Sequence, residues 1–540
     1  MGSITGDWRL KAARGKKIQQ ESIPKQWILA PERLPPTSQL CVIDVPKESG
    51  LLSEKELIIT ESTATSLVDK MASGTWTAEE VTIAFLKRAT LGQQLLNFAT
   101  EFLAEEAIAR AKELDRIFHE TGKIVGPLHG VPVSVKEHIG IKGRVCNAGY
   151  VSWMDYISPD DAVVVQLLQK AGGIVIVRTN EPQSLMAWLE SDNNITGRTL
   201  NPHNRNLTPG GSSGGEGASM GFKCACLGVG SDIGGSIRGP AAFNGVYGLR
   251  PTAHRLPLVG LRAAGMGQDF IHGVVGPLGH SVEDLELFMK SLLDQCPWKE
   301  DMSLVPVPWR TAGPPATASL TVGIMKDNGL VHPHPPITRA LELAEKKLIA
   351  AGVRVVEWKP YQYQESSDLT AQFYFADGGK AQRSALADEP LLPQTTLALA
   401  MGSPGGLDVS TSWDLNYQKE VIRAMHHAEW QRAGVDFVLS PAYVGVAPEH
   451  GTAQYFFYTA LWNVLEQPAV VFPTGLQVDA KIDVADASYQ PRSELDAREY
   501  AKYSPEKFDK VPISLQLAGK RWHDEELLAG AKVVQGIIAR

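Results

Sequence analysis

An α/β layer architecture is the fold class that the sequence predicts, and three observations carry it. The chain is long, at 540 residues, which allows two or three units or one large α/β domain. Its composition, 44% hydrophobic and 21% charged, is that of a globular protein and rules out wholesale disorder. Short β-branched runs and helical patterns then follow one another along the chain, which argues against an all-helical or all-β fold.

Taken in order, residues 1–60 are mixed, and Pro31, Pro35, Pro36 and Pro46 interrupt any long element. They read as an extended arm packed on the body. Thr77 and Glu80 have the spacing of a capping box ahead of Val81, Ile83, Ala84, Phe85 and Leu86, which predicts a helix. A second helix is predicted from Phe98 to Ile117. At Gly126 the texture changes, and Val131, Val133 and Val135 alternate as a short buried strand ending at Lys136. Asp161–Lys170 reads as a helix, and GGIVIVRTN after it as a strand entered through a Gly-Gly turn. Residues 300–320 are rich in Pro, Ala and Thr and read as a surface connection. Ile337–Gly352 is a predicted helix, VRVVEW and DFVLSPA are predicted strands, and no internal repeat is visible.

Charge and cysteine usage exclude several function classes. Lys plus Arg number 52 against 60 for Asp plus Glu, a net charge of −8, so nothing general attracts nucleic acid or an anionic membrane. Five scattered cysteines are too few for a disulfide scaffold, and Cys224 and Cys226 lack the C-x-x-C spacing of a zinc or redox site. The start, MGSITGDWRLKAARGKK, has no apolar core of a secretory signal, and Gly6 stands where a myristoylation site wants Ser or Thr. No apolar run approaches a spanning helix. The expectation is a cytoplasmic protein without metal or cofactor.

The main clue is local. Eleven glycines fall among the 31 residues from Gly210 to Pro240, a density that implies positive φ or close backbone approach. A flexible linker is a poor reading, because Cys, Leu, Val and Ile are interspersed. A phosphate cradle is also poor: no G-x-x-x-x-G-K-[ST] is present, and Gly228, Gly230 and Gly234 match the dinucleotide fingerprint only loosely. Gly210–Gly214 satisfies G-x-S-x-G literally, which would make Ser212 the nucleophile of an α/β-hydrolase with Asp436 and His450 as partners. Against it, the preceding Asn206-Leu207-Thr208-Pro209 reads as a loop, not a strand.

The remaining reading joins this segment to the lysine upstream. GPLHGVPVSVKE, GGSSGGEGA and GSDIGGSIRGP occur in that order, with Lys136 to Ser212 spanning 76 residues and Ser212 to Ser236 spanning 24. Together they resemble the amidase signature family. TNEPQSLM, GPLGHSVEDLELF, YTALWNVLEQPAVVFPTG and VPISLQLAGKRWHDEELL extend the resemblance from about residue 60 to the C-terminus, while VHPHPPITRALE and FYFADGG are similar to its fungal acetamidase-like branch.

The resemblance implies one large domain over 61–540, a mixed twisted β-sheet covered on both faces by helices. Helices at 61–120 would precede a catalytic core at 121–300 and a variable pocket region and C-terminal part at 301–540. It also implies a Ser-Ser-Lys triad: Ser236 as nucleophile, Ser212 as proton relay next to a cis peptide, and Lys136 as ultimate base. A free lysine has a pKa of about 10.4, so a neutral Lys136 requires burial, which the apolar alternation before it suits. The amides of Ile233, Gly234, Gly235 and Ser236 would form an oxyanion hole. Leu185, Met186 and Ala187 would line the acyl pocket. Ser213, Ser231, Asp232 and Arg238 would support the loop, the last two as an ion pair. Phe373, Tyr374, Phe375 and the aromatics from Tyr455 to Tyr458 are expected mainly in the core. Glu137 and His138 are expected at the pocket entrance, His129 in a structural loop, and Cys146 buried and inert. The implied reaction is hydrolysis of a small aliphatic amide to carboxylate and ammonia, with a larger, fatty, carbamate or secondary-metabolite amide as the alternative. Its partner is the small-molecule amide, and homodimers are common in the family.

Overall fold

The computed structural model describes residues 8–540; Gly6 lies outside them. Eleven strands carry the fold: β1 (Ala99–Phe102), β2 (Pro132–Lys136), β3 (Ile174–Thr179), β4 (Leu227–Asp232), β5 (Tyr247–Arg250), β6 (Val274–Gly279), β7 (Thr321–Ile324), β8 (Arg354–Glu357), β9 (Phe437–Pro441), β10 (Ala469–Gln477) and β11 (Pro512–Ala518). They join into one sheet of order β1-β3-β2-β4-β6-β5-β10-β11-β9-β7-β8. β2 runs parallel to β3 and β4, and β7 parallel to β8 and β9, while the central pairs from β4/β6 to β11/β9 are antiparallel. The mixed sheet of a single large α/β domain is therefore present, and residues 301–540 extend it rather than standing apart.

The central strands are buried over most of their length. Val133, Val135, Ile176, Val177, Val229, Val470 and Leu515 are fully enclosed, so these segments read as continuous apolar runs where both faces are covered. Helices supply the cover: Ala78–Leu96 packs on β2 and β3, Ala104–Thr121 on β3, and Asp524–Ile538 on β10 and β11. The first of these begins with the capping box that Thr77 and Glu80 predict, each side chain bonded to the other's backbone amide. The predicted strands at 131–135, 174–179, 354–357 and 437–441 and the helices at 163–170 and 335–350 all form.

Two local expectations are corrected. The extended arm begins instead with a helix, Trp8–Ser22, lying against β1; the prolines that suggested an arm all come after it. The helix expected from Phe98 starts only at Ala104, because Ala99–Phe102 pairs antiparallel with β3 as the sheet edge. Gly214–Gly221, inside the glycine-rich segment, is a helix. Four glycines in eight residues are poor helix formers. Here they are demanded by contact: a Cβ on Gly215 would strike the backbone of Asn180, and one on Gly217 would crowd Asn244 and Pro240. Among the described residues, no helix is long and apolar enough to cross a membrane.

Candidate active site

Lys136 is the last residue of β2, held between β3 and β4. It is wholly buried, and its Nζ lies 2.6 Å from Ser212 Oγ and 3.0 Å from Ser231 Oγ. Neither partner is a carboxylate. Burial pushes the ammonium down to about 8, against the upward pull of Glu181, Asp232 and Glu216 farther off. The sheet thus delivers a lysine that loses its proton near neutrality.

Ser212 follows a cis Gly211–Ser212 peptide and precedes the glycine helix. Glycine is required at 211 because a Cβ there would strike the Glu190 backbone. Glu216, one turn into that helix, accepts hydrogen bonds from Ser134 on β2 at 2.5 Å and Thr179 on β3 at 2.6 Å. Burial raises its carboxyl to about 8, so at neutral pH it is mostly protonated and joins helix to sheet as a neutral group. Ser213 Oγ donates to the Ser231 carbonyl and accepts from the Ser231 amide, and the Ser213 amide donates to the Ser236 carbonyl at 3.1 Å. These bonds bind the two serine segments together.

Ser236 sits on the turn between β4 and a short helix, Arg238–Phe243. The expected ion pair forms completely. Arg238 donates to both oxygens of Asp232 at 3.0 Å, and both side chains are fully buried. The guanidinium holds the Asp232 carboxyl far below the usual carboxylate range. Asp232 also accepts the amides of Gly235 at 2.8 Å and Ile237 at 3.1 Å. This corrects one expectation: the Gly235 amide is engaged by Asp232. Gly235 serves the turn instead, with φ at +130° and Thr459 packed where a side chain would be. Ile233, Gly234 and Ser236 line the adjacent cavity.

Two cavities meet at the serines. The smaller, about 60 Å³, is lined by Leu185, Met186, Ala187, Trp188, Ser212, Ser236 and the aromatics Tyr374, Phe375 and Phe456, among others. Ser184 and Leu185 both adopt positive φ, a strained turn of the kind that clusters at functional sites. The larger, about 830 Å³, shares Ser212, Ser236, Leu185, Met186, Ile233 and Tyr374 with the first and runs on past Leu258, Met266 and Phe270. Tyr374 and Phe456 therefore bound the site rather than the core, whereas Tyr455 and Tyr458 are core residues as expected. Tyr374 donates its hydroxyl to the Ile233 carbonyl at 2.7 Å and leaves no room for a side chain at Gly234. The aromatic run was visible in the sequence, but nothing in it distinguished Tyr374 from its neighbours.

Glu137 is not at an entrance, whereas His138 lines the larger cavity. Glu137 is buried and accepts the amides of Asn147 and Ala148 at 2.9 Å. His138 is buried 2.8 Å from Ser231 Oγ. Cys146 is buried, and burial pushes its thiol well above the ordinary range. His129 accepts the Val125 amide within its own loop. The α/β-hydrolase alternative finds no geometry: Asp436 accepts the Thr321 amide at the far part of the sheet, and His450 pairs with Glu190. Ser212 has Lys136 as its partner instead.

The whole chain has close relatives. A model of the family described as Amidase matches residues 80–528. The acetamidase of Emericella nidulans is 41% identical, covering 98% of this chain and 97% of its own. That of Aspergillus oryzae is 39% identical, covering 98% of both. A solved structure of a fatty acid amide hydrolase superposes with a TM-score of 0.96 at 38% identity, over 99% of this chain and 96% of that one. Likeness of this extent, in sequence and in backbone alike, makes the chain a member of the amidase family and an amide hydrolase.

Proposed function

We propose that the protein is a serine amidohydrolase acting on amides with a short acyl group, through an acyl-Ser236 intermediate. The observation that carries the chemistry is the 2.6 Å contact between Lys136 Nζ and Ser212 Oγ inside a site that depresses the lysine. Ser236 Oγ attacks the amide carbonyl carbon as its proton passes to Ser212, whose own proton passes to Lys136. The developing oxyanion is met by the amides of Ile233, Gly234 and Ser236, each such donor being worth about 3 kcal/mol at the transition state. Lys136 returns the proton through Ser212 to the leaving nitrogen, and the C–N bond breaks. Water then enters by the same relay, and the ester is hydrolysed to carboxylate and free Ser236.

Cavity size supports the short acyl group. The space beside Met186 and Phe456 is small, about 60 Å³, against about 830 Å³ for its neighbour. The acetamidase relatives agree with this reading. A second reading comes from the 830 Å³ cavity that shares the serines with it, which is roomy enough for a substituted amine or a bulkier amide.

Ammonia release from primary amides graded from acetamide to a long-chain fatty amide tests the first reading, and acetate release from N-substituted acetamides, whose nitrogen leaves as the amine, tests the second. Turnover is expected at the short end. Turnover confined to long chains would overturn the short-acyl reading, and fluorophosphonate labelling at Ser212 instead of Ser236 would overturn the nucleophile.

A further inference from the structure

The reading above needs the lone pair of a neutral Lys136 to face Ser212, yet a second hydroxyl lies almost as near. Ser231 Oγ is 3.0 Å from Nζ. Were its proton to turn toward Lys136, it would occupy the lone pair that must accept from Ser212. A serine hydroxyl has one proton to give. What decides its direction is the other neighbour of Ser231.

That neighbour is His138. Its Nδ1 lies 3.1 Å from the carbonyl oxygen of Arg262, which can only accept, so Nδ1 carries the hydrogen. The contact is fixed from both ends, since the Arg262 amide donates to the His138 carbonyl at 3.0 Å. The ring is buried, and burial together with Lys136 keeps it neutral. Nε2 is then bare and accepts. The one hydrogen between Nε2 and Ser231 Oγ, 2.8 Å apart, is the serine's own. Ser231 turns only lone pairs toward Lys136 and receives one of its N–H groups. The lysine lone pair is left for Ser212.

We propose that His138 is a positioning residue of the amide-hydrolysing site: it draws the Ser231 proton away from Lys136 and thereby aims the lysine lone pair at Ser212. The inference rests on the Ser-Ser-Lys reading. It assigns His138 no share in proton transfer.

The chain of bonds makes an unusual genetic prediction, because Ser231 is helpful with His138 present and obstructive without it. The test uses the full-length enzyme and a fluorophosphonate probe, following labelling of Ser236. His138→Leu is expected to lower the maximum labelling rate roughly 10- to 100-fold, as misdirected catalytic groups do. The half-saturating concentration of a small probe should stay within about twofold, since His138 lines the larger cavity and not the smaller one. Ser231→Ala alone should cost under about tenfold, the worth of one neutral hydrogen bond. The double variant His138→Leu/Ser231→Ala should recover to the rate of Ser231→Ala. A double variant slowed by the product of the two single effects, or a His138→Leu enzyme as fast as wild type, overturns the proposal. His138→Gln decides the matter if the leucine variant does not fold, because Gln Oε1 keeps an acceptor within reach of Ser231. Labelling within about threefold of wild type supports the proposal, and a folded His138→Gln enzyme slowed more than about tenfold overturns it. Wild-type enzyme that fails to label at Ser236 overturns the nucleophile assignment itself, whereas labelled wild type with an unaffected His138→Leu overturns only the role of His138.

Discussion

Two cationic side chains are wholly buried around the same reactive loop, and they have opposite fates. Arg238 faces Asp232 through two hydrogen bonds and passes others to the Thr459 carbonyl and to Asn463. Lys136 faces the hydroxyls of Ser212 and Ser231. Burial opposes charge on both, but only the arginine has a carboxylate in contact to restore it. Arginine moreover keeps its proton in proteins in general, where lysine readily shifts. Equal burial therefore yields a permanent ion that shapes the loop and a lysine ready to trade its proton. The partner, more than the depth, separates scaffold from chemistry.

Removing each cation's function should break the two regions in different ways. Lys136→Ala is expected to lower amide turnover by about 10²–10⁴-fold, the usual range for loss of a general base, while thermal unfolding stays level or rises because a poorly compensated buried amine is gone. A large fall in melting temperature with that variant would mean that the lysine is structural after all. Asp232→Asn should do the reverse. Leaving Arg238 buried without its counter-charge costs about 3–5 kcal/mol of stability, readable by denaturant unfolding. Activity would fall with the folded fraction and with the loosening of the amides that Asp232 holds.

The two regions should also titrate apart. In the proposed mechanism Lys136 is a base when neutral, so kcat/KM should rise with pH and level off above about 8. Its folded pKa lies below its ordinary 10.5. Between those values the unfolded chain binds more protons, and this group makes stability rise with pH. Asp232 has a depressed pKa. Its contribution is complete above the ordinary carboxylate value, near 4, and is lost as pH falls below it. Activity and stability scans over pH check both signs. The smallest expected effect is that of Tyr374→Phe, which removes one hydrogen bond to the Ile233 carbonyl. It is worth about 1 kcal/mol, or a rate loss of roughly fivefold with normal folding.

The legibility of the molecule in its sequence follows the same division. Lys136, Ser212, Ser236, Asp232 and Arg238 stand in contiguous motifs whose glycines are demanded by local contacts, so they could be read from the chain alone. Leu185, Met186 and Ala187 were likewise readable, and they line the smaller cavity. The far walls were not. Phe456 and Tyr374 come from segments more than 130 residues beyond Ser236, and only the pairing of β10 with β5 and β11 brings the second half of the chain alongside. An aromatic run reads as core when the surface that it faces is distant in sequence. His138 is legible only in part, since it lines the larger cavity but its tie to Ser231 is not visible in the sequence. It follows the strand by two residues, and its burial depends on a bond to Arg262, 124 positions away. The glycine helix is hidden by propensity: its stability comes from close packing on Asn180 and Pro240, which no local count of glycines can foresee.

The locking of Arg238 has a bearing on how the protein is made. Every group of the proposed triad has been translated by residue 236, yet the loop holding Ser236 is anchored to Thr459 and Asn463 and reaches Gln516, 278 residues downstream of Arg238. At synthesis rates of about 5–20 residues per second, the ribosome needs roughly 15 to 55 s more to supply the last of those anchors. During that interval the nascent polypeptide has its serines and lysine without the framework that arranges them. A chain ending before Thr459 would carry the whole signature and no working centre, so activity marks a finished product of translation.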